Sequence, residues 1–256
     1  MTSTTDLVGG EIELTGRIMQ ASNATFVGRI GEVDIVYKPI AGEKPLWDFP
    51  DGHLANREAA AHLVSEVLGW DVVPRTWLRD GPLGEGMVQL WKTVDPEQDA
   101  VDLVPAGELP DHGWRHVFDG YDAQDRRISL IHEDSAALRQ MAVFDIVTNN
   151  ADRKGGHILE MPGGHRYGVD HGLTFHAEHK LRTVLWGWTG QELAAAELEG
   201  VERVRSALAG SLGESLAPLL TEVELTALDR RCERLLQTAR FPEPHGEMPA
   251  IPWPPF

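Results

Sequence analysis

Two aspartates, Asp152 and Asp170, stand at a spacing that suggests chemistry. They lie in DIVTNNADRKGGHILEMPGGHRYGVDHGLTFH, residues 145–176. The cluster from Thr148 to His157 has too many turn formers and too much charge for a core segment, so it reads as a loop. Two short segments follow, His157 to Met161 and Arg166 to Val169, split by Pro162-Gly163-Gly164, a break of the kind that joins antiparallel strands. A hairpin sets the start of its first strand beside the end of its second. Asp152 and His157 therefore fall close to Asp170, although 18 positions separate the aspartates. In such a pair one acid can orient a nucleophile while the other, with a nitrogen or oxygen ligand beside it, holds a divalent metal.

The elements that would position these groups begin upstream. Glu11 to Gln20 and Thr25 to Ile30 alternate apolar and polar residues, which predicts a hairpin with Ser22, Asn23, Ala24 and Thr25 at or beside its tip. Asp34 to Ile40 forms a third strand with one lysine, Lys38, in an apolar setting; such a lysine can also serve only to guard a sheet edge. After a loop rich in Gly, Pro and Trp, Leu54 to Leu68 has apolar residues spaced by three and four and ends at Gly69. Glu58 sits in the first turns of that helix, where helix-dipole and surface charge are a sufficient reason for an acid.

Val72 to Leu78 and Gly86 to Trp91 complete a set of about five strands. The acidic, proline-bearing stretch Thr93 to Pro110 reads as a connection, so residues 1–92 form one lobe and 93–256 a second. Beyond residue 113 the pattern is mostly helical apart from the aspartate hairpin. Ser135 to Val147, Gln191 to Leu208 and Leu216 to Phe241 are helices, Asp134 or Ser135 caps the first, and Thr221-Glu222-Val223-Glu224 is a capping box. Trp186 and Trp188 are expected in the core. Asp111 to Ile131, with four acids and several aromatics, reads as cover for the helical lobe or as the lining of an acceptor site. The tail from Pro242 is either a flexible end or an extended strap held by Ile251, Trp253 and Phe256.

A chain of 256 residues with 42% hydrophobic and 25% charged residues can bury a full core, in one domain or two lobes. Twenty-three basic against 40 acidic residues leave a net charge of −17, which disfavours nucleic acid and anionic lipid surfaces as partners. Neither an apolar run of spanning length nor the apolar core of a signal peptide is present, so the expected location is the cytoplasm, with no stable membrane insertion. The single cysteine, Cys232, lies in a helical pattern and is expected to be an inert thiol.

A β-rich lobe with one helix, an acidic connector and a helical lobe holding an aspartate hairpin is the layout of a two-lobed kinase. Asp152, Lys154 two residues on, a metal ligand at His157 and then Asp170-His171-Gly172 match the order of catalytic loop and metal-binding motif in kinase-like enzymes. Asn150-Ala151-Asp152-Arg153 resembles the N-x-D-R of the type II phosphatidylinositol 4-kinase branch, within the phosphatidylinositol 3- and 4-kinase-like superfamily. Val169-Asp170-His171-Gly172-Leu173-Thr174-Phe175 resembles the D-N-G run of the same branch.

The resemblance implies an α+β, two-lobed protein-kinase-like fold that binds ATP and Mg²⁺, or Mn²⁺. In it Lys38 contacts phosphates and pairs with Glu58, residues 22–25 cover the phosphates, and Gln89, Leu90 and Trp91 form the hinge that reads adenine. Asp152 and Lys154 are the implied catalytic residues, and Asp170 with His157 the metal ligands. His157 departs from the usual asparagine, and a softer imidazole favours Mn²⁺.

The implied reaction is transfer of the γ-phosphate to a hydroxyl of a lipid, protein or small molecule, or transfer of AMP. Two other classes stay open: a pseudokinase that binds nucleotide without turnover, and a metal-dependent hydrolase using His165, His171, His176 or His179. The chain lacks Walker A, GxGxxG and HExxH patterns.

Overall fold

The computed structural model describes residues 4–19, 21–50, 52–246 and 248–256. A short helix α1 (Thr4–Gly9) leads into strands β1 (Glu13–Arg17), β2 (Phe26–Ile30) and β3 (Val33–Pro39). Helix α2 (Leu54–Leu68) intervenes before β4 (Thr76–Gly81) and β5 (Gly84–Leu90), and the five strands form an antiparallel sheet in the order β1-β2-β3-β5-β4. Ile30, Ile35, Tyr37 and Val88 pack on one face of it with Leu7 and Ile12. Lys38, adjacent in sequence to buried Tyr37, points to the opposite face, as the two-residue period of a strand requires.

Several boundaries move. β1 stops at Arg17, and Gln20 lies outside the described residues. β4 begins only at Thr76, because Val72 and Val73 are buried in the large core and the Val73 N–H is donated to the Ser65 hydroxyl. Of the seven residues from Arg79 to Glu85, between the two expected strands, only Pro82-Leu83 form the turn, since β4 and β5 stay paired down to Gly81 and Gly84.

Helix α2 buries Ala59, Ala60, Ala61, Val64 and Leu68, and stops at Gly69, whose φ of 75° suits the left-handed C-terminal turn. Helix α3 (Ala136–Thr148) starts at Ser135, whose hydroxyl accepts from the Leu138 N–H. It ends where Asn149 turns left-handed at φ 55°, and that reversal launches the loop that carries Asp152. Strands β9 (Ile158–Glu160) and β10 (Arg166–Gly168) form the expected hairpin. Helices α4 (Ala195–Leu208), α5 (Ser211–Leu216) and α6 (Glu222–Thr238) close the second lobe. Thr221 and Glu224 form the capping box of α6, and Trp188 and Cys232 are fully buried.

The largest departure from the expected pattern is a second sheet. β6 (Val101–Pro105), β7 (Trp114–Tyr121) and β8 (Arg127–Glu133) form an antiparallel sheet in the order β6-β8-β7, where a connector and helical cover were expected. Only β8 is mostly buried, through Ser129, Leu130, Ile131 and His132; β6 and β7 are largely exposed or half-buried, so their sequences carry no clean apolar alternation.

The tail is a strap, not a free end. The Ala250 carbonyl accepts from the Thr183 N–H (3.0 Å) and the Trp186 Nε1–H (2.9 Å), and Ile251 packs against the core. Among the described residues no helix is long and apolar enough to cross a membrane.

Candidate active site

A cleft of about 610 Å³ opens between the five-stranded sheet and the hairpin lobe. Lys38, Glu58, Asp152, His157 and Asp170 all line it, as do residues 22–25 and 89–91.

Lys38 is its electrostatic centre. Its Nζ donates to Glu58 Oε1 and, at 2.9 Å, to Asp170 Oδ1, so one ammonium joins the sheet, helix α2 and the end of the hairpin. Burial disfavours the charge, but Asp170 and Glu58 together reverse that and hold Lys38 above the ordinary lysine range. Asp170 is held well below the usual carboxylate range, first by the charge of Lys38. Glu58 is pushed up by burial, against the pull of Lys38. Asp170 itself is left-handed at φ 61°, a conformation that aspartate tolerates better than most residues.

His157 lies across from this centre. Its Nδ1 is 2.8 Å from the Asp152 carbonyl, which can only accept, so Nδ1 carries the hydrogen. Nε2 then presents its lone pair 3.5 Å from Asp170 Oδ2. Burial lowers the His157 pKa, which keeps the ring neutral. A metal-ligating histidine is oriented in this way, one nitrogen tied to a carbonyl and the other free to bind. Asp170 and His157 thus fit a divalent cation as two converging donors. Among the described residues no third His, Cys, Asp or Glu joins them, and Mg²⁺ is commonly completed by phosphate oxygens and water.

Asp152 faces the cleft with Oδ2 3.1 Å from Lys154 Nζ, and its N–H is fixed by the Asn150 side chain at 3.0 Å. The small-residue tip is also fastened: the Lys44 N–H donates to Asn23 Oδ1 (2.9 Å) and the Ala24 N–H to the Gly42 carbonyl. Thr25 is buried and its hydroxyl donates to the Asn23 carbonyl at 3.4 Å, which supports the tip. At the other end, the Leu90 N–H is donated to Arg75 and the Trp91 N–H to Asp34. Gln89 turns its amide to the Thr76 hydroxyl at 2.8 Å. At this end of the cleft the N–H groups with no protein acceptor among the described residues are those of Lys92, Thr93 and Val94.

Two residues escaped the sequence reading. Asp145 and Arg153 form an ion pair in which neither side chain is exposed. Asp145 also accepts from Asn150 Nδ2 (2.9 Å) and the Thr183 hydroxyl (3.3 Å). Arg153 donates onward to the carbonyls of His157 (3.1 Å) and Val169 (3.4 Å) and to His171 Nε2 (2.7 Å). One guanidinium thereby ties the loop after α3 to both ends of the hairpin. The signal was present: an aspartate inside an apolar helix and an arginine beside Asp152 are both costly to bury alone.

Arg153 also settles His171. Because an arginine N–H meets Nε2, that nitrogen accepts, and burial holds the ring neutral with its pKa well below the usual value. His165 bonds the Asp71 carbonyl and His176 packs against Phe49, so these histidines do not converge on a metal.

The tail completes the loop. The Gly155 N–H donates to the Pro255 carbonyl at 2.8 Å, and a Cβ on Gly155 would lie 2.5 Å from the Phe256 ring. Glycine there lets the Phe256 ring lie directly on the loop backbone.

An antiparallel sheet whose third strand carries a lysine paired to a glutamate of the following helix, set over a loop aspartate and a second aspartate after a hairpin, defines a two-lobed protein-kinase-like α+β fold. The chain belongs to the family of Protein Rv2133c of Mycobacterium tuberculosis (strain ATCC 25618 / H37Rv), with which it is 49% identical over 263 aligned positions covering 98% of this chain and 94% of that protein. No protein-family model matches it. Among solved structures, the proinflammatory kinase CtkA of Helicobacter pylori is similar with a TM-score of 0.45 and 12% identity, over 92% of this chain and 94% of that one.

Proposed function

We propose that the chain is an ATP- and divalent-metal-dependent phosphotransferase that moves the γ-phosphate to an alcohol acceptor. The observation that carries this reading is the Lys38 ammonium, shared by Glu58 and Asp170 in a cleft that Asp152 and His157 also line. Lys38 exchanges Asp170 for phosphate oxygens when nucleotide enters. Residues 22–25 cover the phosphates, and the backbone from residue 92 to 94 meets the adenine edge.

Asp170 and His157 would hold the metal, whose bound charge offsets that of the phosphates. Asp152 orients the acceptor hydroxyl and takes its proton as the new P–O bond forms and ADP leaves. Lys154 balances charge on the phosphoryl group in transit. The N-A-D-R and D-H-G runs support a phosphatidylinositol 3-/4-kinase-like assignment, close to the type II phosphatidylinositol 4-kinase branch.

The test is incubation with γ-labelled ATP and Mg²⁺ or Mn²⁺, following label on protein, lipid and small acceptors; α-labelled ATP reports AMP transfer. Transfer falls on the order of a thousandfold in Asp152→Ala and Asp170→Ala. Label transfer unchanged by Asp170→Ala would sink the assignment. Nucleotide binding without turnover under either metal would favour a pseudokinase, the reading for which His157 is the main support. His157→Asn shifts preference from Mn²⁺ toward Mg²⁺, and no shift would remove His157 from the ligand set.

A further inference from the structure

The chain uses arginine for 18 of its 23 basic residues and lysine only five times, at Lys38, Lys44, Lys92, Lys154 and Lys180. Three of these line the cleft, and Lys154 touches cleft-lining Asp152. Lys180 is held beside the same loop, its N–H donated to Asn149 Oδ1 at 2.9 Å. In a molecule of net charge −17 the long-range field repels anions, so an anion site has to be built locally.

These cations divide by their neighbours. Lys38 and Lys154 already face carboxylates, and Lys92 caps the Tyr167 hydroxyl at 3.1 Å. Lys44 lines the cleft beside the tip at residues 22–25, its backbone N–H on Asn23 Oδ1, and so counts with the nucleotide site. That leaves the segment from 180 to 183, which runs beside the catalytic loop. The Arg153 N–H donates to the Arg182 carbonyl, the Arg182 N–H to the Asn150 carbonyl, and Arg182 Nε to the Ala151 carbonyl at 2.7 Å. Arg182 has no carboxylate partner among the described residues, and the one acid near Lys180 is Glu178 at 3.9 Å.

Facing this segment is Trp47. Its indole is 85% exposed, yet its turn is anchored: the Phe49 N–H closes on the Leu46 carbonyl at 3.2 Å, and the Phe49 ring is buried against His176 and Arg57. Lys180 Nζ lies 5.9 Å from the centre of the Trp47 ring. An indole on an anchored turn, with a cation over it, offers a stacking face next to positive charge.

We propose that the acceptor is a soluble molecule carrying a phosphate or carboxylate next to a planar group, its ring on the exposed face of Trp47 and its anion against Lys180 and Arg182, beside Asp152. The inference rests on the phosphotransfer reading and adds the acceptor's class to it.

Phenyl phosphate is the probe, since it joins a planar ring to an anion, while phenol and inorganic phosphate each supply half. The full chain is titrated calorimetrically, with and without saturating Mg²⁺ and a non-hydrolysable ATP analogue. Phenyl phosphate binds at least tenfold more tightly than either half. Trp47→Ala, Lys180→Gln and Arg182→Gln each weaken it about three- to tenfold while melting temperature and affinity for the ATP analogue hold.

Equal affinity for the three probes, or affinity for phenyl phosphate unmoved in all three variants, overturns the proposal. Phosphatidylinositol vesicles that bind more tightly than phenyl phosphate, and lose binding in the same variants, overturn a soluble acceptor in favour of a lipid headgroup. Phenyl phosphate binding without any binding of the ATP analogue leaves the anion site standing and removes the phosphotransfer reading.

Discussion

Two ion-pair centres built from the same chemistry sit on either side of the catalytic-type loop and differ in access to water. Lys38 pairs with Glu58 and Asp170 at the cleft, where the Asp170 side chain is 55% exposed. Arg153 pairs with Asp145 where neither is exposed at all. An accessible pair can trade one partner for a phosphate or a metal at small cost, because water and ligand both compensate. A sealed pair cannot be opened without leaving a bare charge in the interior, so it acts as a fixed joint. The choice of cation agrees: lysine is a mobile point charge on a flexible stem, whereas the guanidinium reaches four acceptors in fixed directions.

The sharpest way to break this contrast is to remove one acid from each centre. Asp145→Ala lowers unfolding stability by about 3–5 kcal/mol, because Arg153 loses its buried partner. Asp170→Ala changes it by less than about 1 kcal/mol, since that pair is partly solvated and Lys38 keeps Glu58. Denaturant midpoints at constant slope measure both, and similar losses would erase the distinction.

A second, smaller effect comes from pH. Burial pushes fully buried His132 down to about 4, and its Nε2 accepts from the Gly187 N–H. The unfolded chain, with a histidine near 6.5, binds more protons between those values, so stability is complete above about pH 6.5 and is lost as pH falls toward 4. His132 alone accounts for about 2–3 kcal/mol between pH 7 and 4.5. His132→Gln flattens that part of the acid limb in thermal melts run across this range, and an unchanged slope would reassign it.

Effects smaller than that of His132 belong to the strap. Gly155→Ala forces the half-exposed Phe256 ring away and costs about 1 kcal/mol. Phe256→Ala costs about 1 kcal/mol, because that ring is half exposed. If the strap also steadies Lys154, both variants lower transfer rates several-fold at unchanged nucleotide affinity, which single-turnover kinetics on label transfer would read.

Much of this was legible before folding. The hairpin was marked by Pro162-Gly163-Gly164, α2 by its apolar spacing and Gly69, and α6 by its capping box. These are local signals, set by backbone sterics and by hydrogen bonds a few residues apart. The sheet β6-β8-β7 was not legible, because exposed strands such as β7 are held by backbone pairing and leave no apolar period to find. The open N–H groups at this edge of the cleft were hidden for a related reason. Which N–H groups of residues 89–94 stay open depends on Asp34 and Arg75, which the sequence does not place beside them.

By itself, then, the order of residues determined that two aspartates and a histidine would meet around a hairpin, with a strand lysine and a helix glutamate upstream. Only the tertiary structure decided which charges are sealed and which are open, which nitrogen of His157 faces Asp170, and that the tail lies against Gly155. Those outcomes depend on burial and on contacts between distant segments, and local propensity carries no information about either.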